Sequence, residues 1–278
     1  VRFLVAALFH FRRFIYHRKI CGPLQDKCNL SGVTGSLLLA PEGINGTIAG
    51  SRSGIDNVIE YIKSLPGCRG IEHKESIASL PPFPRMKVKI KKEIVTMGQP
   101  HVNPAEKVGK YVEPKDWDSL INSPDVVLID TRNDYEVRVG TFKNAVDLKI
   151  PSFRDFPDAI SKLPEEYKKK QIVMFCTGGI RCEKASAVML KSGFENVKQL
   201  EGGILNYFKD TDASHWDGDC FVFDDRVAVD KELNETDYVM CYSCREPLTK
   251  EEVRSPDYKI DDYCPYCVNQ KRKEKAIS

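Results

Sequence analysis

The stretch MFCTGGIRCEKASAVML, residues 174–190, constrains the chain more than any other. An apolar run, Ile172 to Phe175, leads into Cys176; a short turn follows, Thr177-Gly178-Gly179-Ile180, closed by Arg181, and then a helical pattern begins. A strand that delivers a cysteine to a tight turn at a helix N-terminus is a device for making a thiolate. Loop amides and the helix dipole both favour negative charge there, and Arg181 adds a permanent cation. A cysteine so placed is expected to be ionised at neutral pH and nucleophilic.

The pattern around this stretch is α/β. Pro114-Lys115-Asp116-Trp117 starts a helix, and Val126 to Ile129 is a continuous apolar run suited to a strand buried on both faces. It ends in Asp130-Thr131-Arg132, followed by Tyr135-Glu136 and Gly140-Thr141-Phe142. Residues 158–170 read as a charged helix, and Val197 to Leu200 as a short strand before Glu201-Gly202-Gly203. Alternating strands and helices predict a mostly parallel sheet over 113–213, with its ligand at the strand carboxyl ends, where Cys176 lies.

Residues 1–97 have a different rhythm. Phe3 to Phe11 reads as a strand, residues 12–29 as a helix interrupted near Gly22-Pro23, and Val33 to Ala40 and Ile44 to Ala49 as strands joined by a turn. Ser51 or Ser53 caps a second helix with apolar positions Ile55, Val58, Ile59, Ile62 and Leu65, stopped by Pro66-Gly67. Strands near Glu72–Ile77 and Met86–Val95 complete a β-α-β-β-α-β order with room for an extra strand, a ferredoxin-like α+β domain. In the last of these, Arg85, Lys87, Lys89 and Lys91 alternate with Met86, Val88 and Ile90, so the cations share one face. Two readings fit: an edge strand kept from aggregating by lysines, or a phosphate-tracking surface for RNA. Residues 98–112, with prolines at 100 and 104, read as a linker.

Residues 214–278 are rich in Asp, Tyr and Cys, with little sustained helix. Cys241-x2-Cys244, 19 residues, then Cys264-x2-Cys267 is a spacing for a tetrahedral thiolate metal site, structural zinc first, with disulfide or redox pairing as the alternative. A region poor in core residues gains a staple from such a site. The basic tail KRKEK, 271–275, reads as solvated charge.

Net charge is only +2 in 278 residues, so any nucleic-acid surface must be local. No apolar run approaches the ~20 residues a membrane span requires. The N-terminal run lacks a leading basic region and a cleavage site, so it reads as a buried strand and not as a signal peptide. Ten cysteines grouped in this way suggest thiol and metal chemistry in a reducing compartment, the cytoplasm. The five histidines form no ligand spacing.

The order and spacing of Asp130-Thr131-Arg132, Tyr135-Glu136, Gly140-Thr141-Phe142, the Cys176–Arg181 loop, Gly193-Phe194 and Leu200-Glu201-Gly202-Gly203 resemble the rhodanese domain. The resemblance implies that Cys176 is the catalytic position, carrying sulfur as a persulfide. Four residues separate Cys176 from Arg181, where related cysteine-dependent phosphatases have five; the shorter ring suits sulfur rather than phosphate. Asp130 and Arg132 either touch substrate or pin the sheet edge by an ion pair. Cys182 either resolves a persulfide or is an inert core thiol.

The whole chain resembles one family over nearly its full length. Leu37-Leu38-Leu39-Ala40-Pro41-Glu42-Gly43-Ile44-Asn45-Gly46-Thr47, Pro84-Arg85 through Thr96-Met97-Gly98, Phe175 to Ser186, Phe221-Val222-Phe223-Asp224 and the CxxC pairs are similar to the rhodanese-containing tRNA uridine hydroxylases. That resemblance implies oxygen-dependent 5-hydroxylation of the wobble uridine of tRNA, with molecular oxygen as co-substrate and Cys176 as the active-site cysteine. No flavin, haem or facial-triad iron motif is seen. Two alternatives stand beside it: a sulfurtransferase fed by thiosulfate or a sulfur-donor protein, and a non-catalytic, zinc-stapled RNA-binding module. The sequence leaves the oligomeric state open.

Overall fold

The computed structural model describes residues 2–277, with side chains up to residue 273. Strand β1 (Phe3–Phe11) sends Leu4, Ala6 and Leu8 into a core roofed by two helices, while Ala7 and Phe9 face the other way. It is followed by α1 (His17–Leu30), β2 (Thr34–Ala40), β3 (Gly43–Gly50), α2 (Arg52–Ser64), β4 (Glu72–Ala78) and β5 (Met86–Ile90). The strand order is β4-β1-β3-β2-β5, antiparallel except for the β2–β5 pair. This is the ferredoxin-like arrangement with one added edge strand.

Two expectations are corrected and one open choice is resolved. Helix α1 starts at His17, later than expected, and continues through Pro23 without interruption. The proline removes one backbone bond, but Ile20, Leu24 and Cys28 on either side of it are buried against the sheet, and that burial holds the helix together. Strand β5 stops at Ile90, because residues 93–95 turn away to meet the second domain. Of the two serines before α2, Ser51 is the cap, accepting from the Gly54 amide at 3.1 Å.

The second unit contains β6 (Lys110–Val112), α3 (Pro114–Ile121), β7 (Val126–Asp130), α4 (Asp134–Val139), β8 (Gly140–Phe142), β9 (Val146–Asp147), α5 (Phe156–Ser161), β10 (Gln171–Phe175), α6 (Ile180–Lys191), β11 (Asn196–Leu200) and α7 (Gly203–Asp210). Its parallel sheet has the order β6-β11-β10-β7-β9, with β10, the strand that leads to Cys176, in the centre. The expected helix over 158–170 is instead the short α5 and a separate 3-10 turn at Glu165–Lys168. Pro164 breaks it, since a proline disfavours helical geometry at the residue before it. The end of the expected linker is itself strand β6.

Beyond α7 the chain forms β12 (Trp216–Gly218), β13 (Cys220–Phe221), β14 (Ala228–Val229), β15 (Val239–Met240), β16 (Pro247–Leu248), α8 (Lys250–Val253) and α9 (Val268–Ile277). The ten-residue α9 is more sustained helix than composition suggested. Strand β12 pairs with β8, and Trp216 packs edge-on to Phe142 with ring centres 5.0 Å apart. Of the basic tail, Arg272 pairs with Asp257 at 2.9 Å; the side chains of Glu274 and Lys275 lie outside the described residues.

A buried lysine ties the first two units together. Lys184 on α6 is fully buried, and its Nζ lies 2.8 Å from Glu42, 2.7 Å from Glu93 and 3.1 Å from the Val95 carbonyl. Burial pushes the Glu93 carboxyl up, but Lys184 and the Gly98 and Met97 amides outweigh it and hold it below the usual range. Replacing Lys184 by Met leaves two carboxylates without their shared cation. Lys184→Met is therefore expected to cost about 3–5 kcal/mol in urea denaturation at neutral pH; a loss under 1 kcal/mol, roughly a surface pair's worth, would show that the pair does not hold the units together.

Candidate active site

The site is assembled where β10 ends. Cys176 is fully buried at the strand's carboxyl end. The Gly179 amide donates to its Sγ at 3.1 Å. Gly179 has φ of 95°, in the left-handed region, which turns its N–H inward just before α6 begins. The start of α7 closes the loop from outside: the Ile204 amide donates to the Cys176 carbonyl at 3.0 Å, and the Leu205 amide to the Thr177 carbonyl at 3.1 Å. Gly203 makes this approach possible, since a Cβ there would lie 2.5 Å from the Cys176 carbonyl oxygen. The Leu200-Glu201-Gly202-Gly203 motif is thus a lid clasp for the cysteine loop.

Burial pushes the Cys176 thiol up. Donation from the Cys182 S–H, the Arg181 guanidinium and the Cys182 and Arg181 amides more than reverse this, lowering it to about 5. Cys176 is accordingly a thiolate at neutral pH. Cys182 shifts the other way, its thiol raised first by burial and then by its bond to Cys176. It also lies 3.7 Å from Thr131 Oγ1. Cys182 is thus a buried thiol in the first turn of α6, held above its ordinary range.

Arg181 is not a free cation. Its two terminal nitrogens reach the Glu136 carboxylate at 2.5 and 2.7 Å, a buried bidentate pair. Glu136 sits in α4, in the Tyr135-Glu136 motif, which had no role assigned from sequence. The motif's position between the Asp130 turn and β8 was visible; its partner 45 residues away was not. The Arg181 guanidinium also lies 5.5 Å from the ring centre of Phe223, an aromatic 60% exposed at the rim of the site. Phe223 is steadied by Phe221, edge-on at 5.1 Å. The loop beyond it is fixed by Arg226, which pairs with Asp224 at 2.6 Å and donates to Ser76 Oγ on β4 at 2.9 Å.

Lys74 is the other residue that sequence reasoning missed. It comes from β4 of the first domain, and its Nζ donates to the Gly178 carbonyl of the cysteine loop at 2.5 Å. Burial pushes it down, opposed by the Cys176 thiolate, Glu183, Glu72 and Glu201. Beside it, buried Glu183 accepts from the Tyr111 hydroxyl at 2.9 and 3.0 Å, and burial pushes its carboxyl up. Nothing local in the sequence around Lys74 or Glu183 marks either of them.

The remaining candidates fall elsewhere. Asp130 and Arg132 are fully buried and pair at 2.6 Å; Arg132 also donates to the Gly140 carbonyl at 2.6 Å, and Thr141 Oγ1 to Asp130 at 2.8 Å. They brace the β7–β8 corner, the ion-pair role expected of them. Thr177 Oγ1 lies 3.4 Å from Glu136, and Ile180 opens α6. Arg85, Lys87, Lys89 and Lys91 lie along β5, at the opposite edge of the first sheet from β4. Met86 and Val88 pack into the core, and Lys87 is pushed down chiefly by Arg85, with Lys89 contributing, as expected of cations sharing a face.

Cys241, Cys244, Cys264 and Cys267 converge so that all four sulfurs lie within 4.8 Å of one another. Sγ of Cys264 is 3.5 Å from that of Cys244 and 3.7 Å from that of Cys267, and all are free thiols. A tetrahedral ion with Zn–S bonds of ~2.3 Å spaces its sulfurs by ~3.8 Å, so the four residues can hold a metal of that kind. The cluster bears on the active site through α4. Arg138 on that helix bonds Glu246 at 2.7 Å and stacks on Tyr266 at 4.0 Å, two residues along from Glu136.

Fold and site together define a rhodanese-type cysteine loop approached by a ferredoxin-like domain. In agreement, residues 3–94 match the family described as UPF0176 acylphosphatase like domain, and residues 113–210 match the rhodanese-like domain. A protein of Sinorhizobium fredii (strain NBRC 101917 / NGR234) named tRNA uridine(34) hydroxylase is 52% identical over 268 residues, covering 96% of this chain and 85% of the relative. Proteins with the same name are 50% identical in Rhizobium leguminosarum bv. trifolii (99% of this chain, 90% of the relative) and 49% identical in Roseobacter denitrificans (98% and 93%). The chain belongs to the tRNA uridine(34) hydroxylase family. No helix among the described residues is long and apolar enough to cross a membrane.

The hydrogen bond from Cys182 predicts a clean pair of variants. Alkylation of Cys176 by iodoacetamide should be flat across neutral pH and fall with acid through a midpoint near 5. Cys182→Ala removes the donor and should raise that midpoint, whereas Cys182→Ser keeps a donor and should leave it lower than the alanine variant. Equal midpoints in all three proteins would show that the S–H does not hold the thiolate.

Proposed function

We propose that the chain hydroxylates C5 of uridine 34 in tRNA, with Cys176 as the nucleophile and molecular oxygen as co-substrate. The observation that carries the reading is a thiolate fixed in a loop whose mouth combines a cation from the first domain, Lys74, with an exposed aromatic, Phe223. In the mechanism inferred here the thiolate adds to C6 of the uracil ring, which makes C5 electron-rich and open to oxygen. Loss of the C5 proton and expulsion of the thiolate restore the ring. One oxygen atom stays on C5; the other leaves as water, with two electrons from a thiol or persulfide donor. Glu183, whose carboxyl burial pushes up, and Lys74, whose ammonium burial pushes down, stand beside the cysteine loop and are the groups assigned to move protons there. In a strain lacking its own enzyme, wild-type protein should restore 5-hydroxyuridine to tRNA, and Cys176→Ala should restore none by nucleoside mass spectrometry. Hydroxyuridine at wild-type levels with Cys176→Ala contradicts the reading.

The four-cysteine cluster is inferred to hold one structural zinc, bound by Cys241, Cys244, Cys264 and Cys267. With all four positions filled by protein it supplies no chemistry, only a brace. Purified protein should carry about one zinc per chain, as a single four-thiolate site requires. Cys264→Ser should lose it and lower the thermal midpoint. Zinc-free wild-type protein with an unchanged midpoint under chelator would refute the bracing role.

A further inference from the structure

The register of the first sheet brings together cations that the sequence keeps apart. Residues directly paired across neighbouring strands project to the same side of a sheet. One such row runs from Lys74 on β4 through Ala7, Thr47 and Ser36 to Lys87 on β5. The next runs Glu72, Phe9, Asn45, Leu38, Lys89. Both rows lie on the side away from α1 and α2, because the intervening residues Leu8, Leu37, Ile48 and Val88 fill the helix-covered core.

This face is partly exposed. Ala7, Phe9, Ser36, Leu38 and Thr47 are all half-buried rather than buried. On one side of the two rows, Val5, Ala49 and Ala78 are covered, with Phe83 packed on them. On the other, the Asn45 amide is held by the Ile94 carbonyl at 2.8 Å. Between these borders runs a floor of mainly small side chains, four strand spacings or about 19 Å across. At one end Lys74 touches the cysteine loop and lies 5.6 Å from the Phe9 ring centre. At the other stand Lys87, Lys89 and Arg85. A single carboxylate, Glu72, shares these rows, and it is exposed on the outer strand.

We propose that this helix-free face is the floor on which the single-stranded anticodon loop lies as it enters the site, with Lys74 and the β5 cations holding phosphates and Phe9 stacking on a base. The proposal rests on the tRNA-hydroxylase reading and gives it a path. Cations at both ends match a polyanion. Single-stranded RNA is bound by aromatic stacking and backbone phosphate contacts, and an open sheet face offers both at once. Ala7, Thr47 and Ser36 leave room for the ribose-phosphate chain to lie flat between the charged ends.

A carboxylate placed in mid-floor tests this without touching the cysteine loop. Ser36→Glu and Thr47→Glu should each weaken tRNA binding at least about tenfold at moderate salt. Asn57→Glu, the same charge change on the exposed side of α2, should bind as wild type does. Lys87→Ala should lower the slope of log affinity against log salt by about one. Thermal midpoints recorded on every variant separate lost binding from lost folding. Wild-type affinity in both floor variants, or equal weakening by Asn57→Glu, overturns the floor. Parallel assay of wild-type hydroxylation keeps the two claims apart: a protein that binds through the floor yet makes no hydroxyuridine refutes the activity, and the reverse result refutes the floor.

Discussion

Donors gathered around the buried Cys176 sulfur set the layout of the site. A buried anion is costly unless donors surround it, and this fold supplies them from several directions. The Gly179 amide comes from the loop, the Cys182 thiol from the first turn of α6, and the Arg181 cation from the loop's last residue. Arg181 is in turn aimed by Glu136 on α4, and α4 is held by Arg138 against the four-cysteine module. The chain of contacts thus runs from the C-terminal cluster to the Cys176 sulfur. Arg138 is a link between this small module and the helix that aims Arg181.

The first domain takes part in the site as well. Lys74 bonds the cysteine loop, Ser76 takes Arg226, and Glu42 and Glu93 take Lys184. These contacts fix the first sheet beside the cysteine loop, at the junction of the two domains.

Much of this was legible in the sequence because it is local. The Cys176–Arg181 loop, its strand and its helix occupy one continuous stretch, and their periodicity changes where the chain turns. The two CxxC pairs are separated, yet sulfur spacing in each pair is local, so their convergence could be expected. The alternation of β5 gave the shared face of Lys87 and Lys89 correctly. What was not legible depends on distance. Lys74 sits in a strand of mixed charges, and only tertiary packing aims it at Gly178. Glu136 was noticed as part of a motif, but its partner lies across the fold. Secondary structure failed where a proline's effect was set by context. Pro23 was tolerated because the apolar residues around it are buried on the sheet, whereas Pro164, in an exposed charged segment with no such burial, ended the helix.

In the proposed reaction Cys176 forms a bond to C6 of the target uridine. An anticodon stem-loop carrying 5-fluorouridine at position 34 tests it most directly, since fluorine at C5 cannot leave as a proton and should trap the adduct. Intact-mass spectrometry should show protein plus RNA, with the link mapped to Cys176 and absent from Cys176→Ala. An RNA that is bound and hydroxylated at normal uridine 34 while the fluorinated analogue never becomes attached to Cys176 would contradict it.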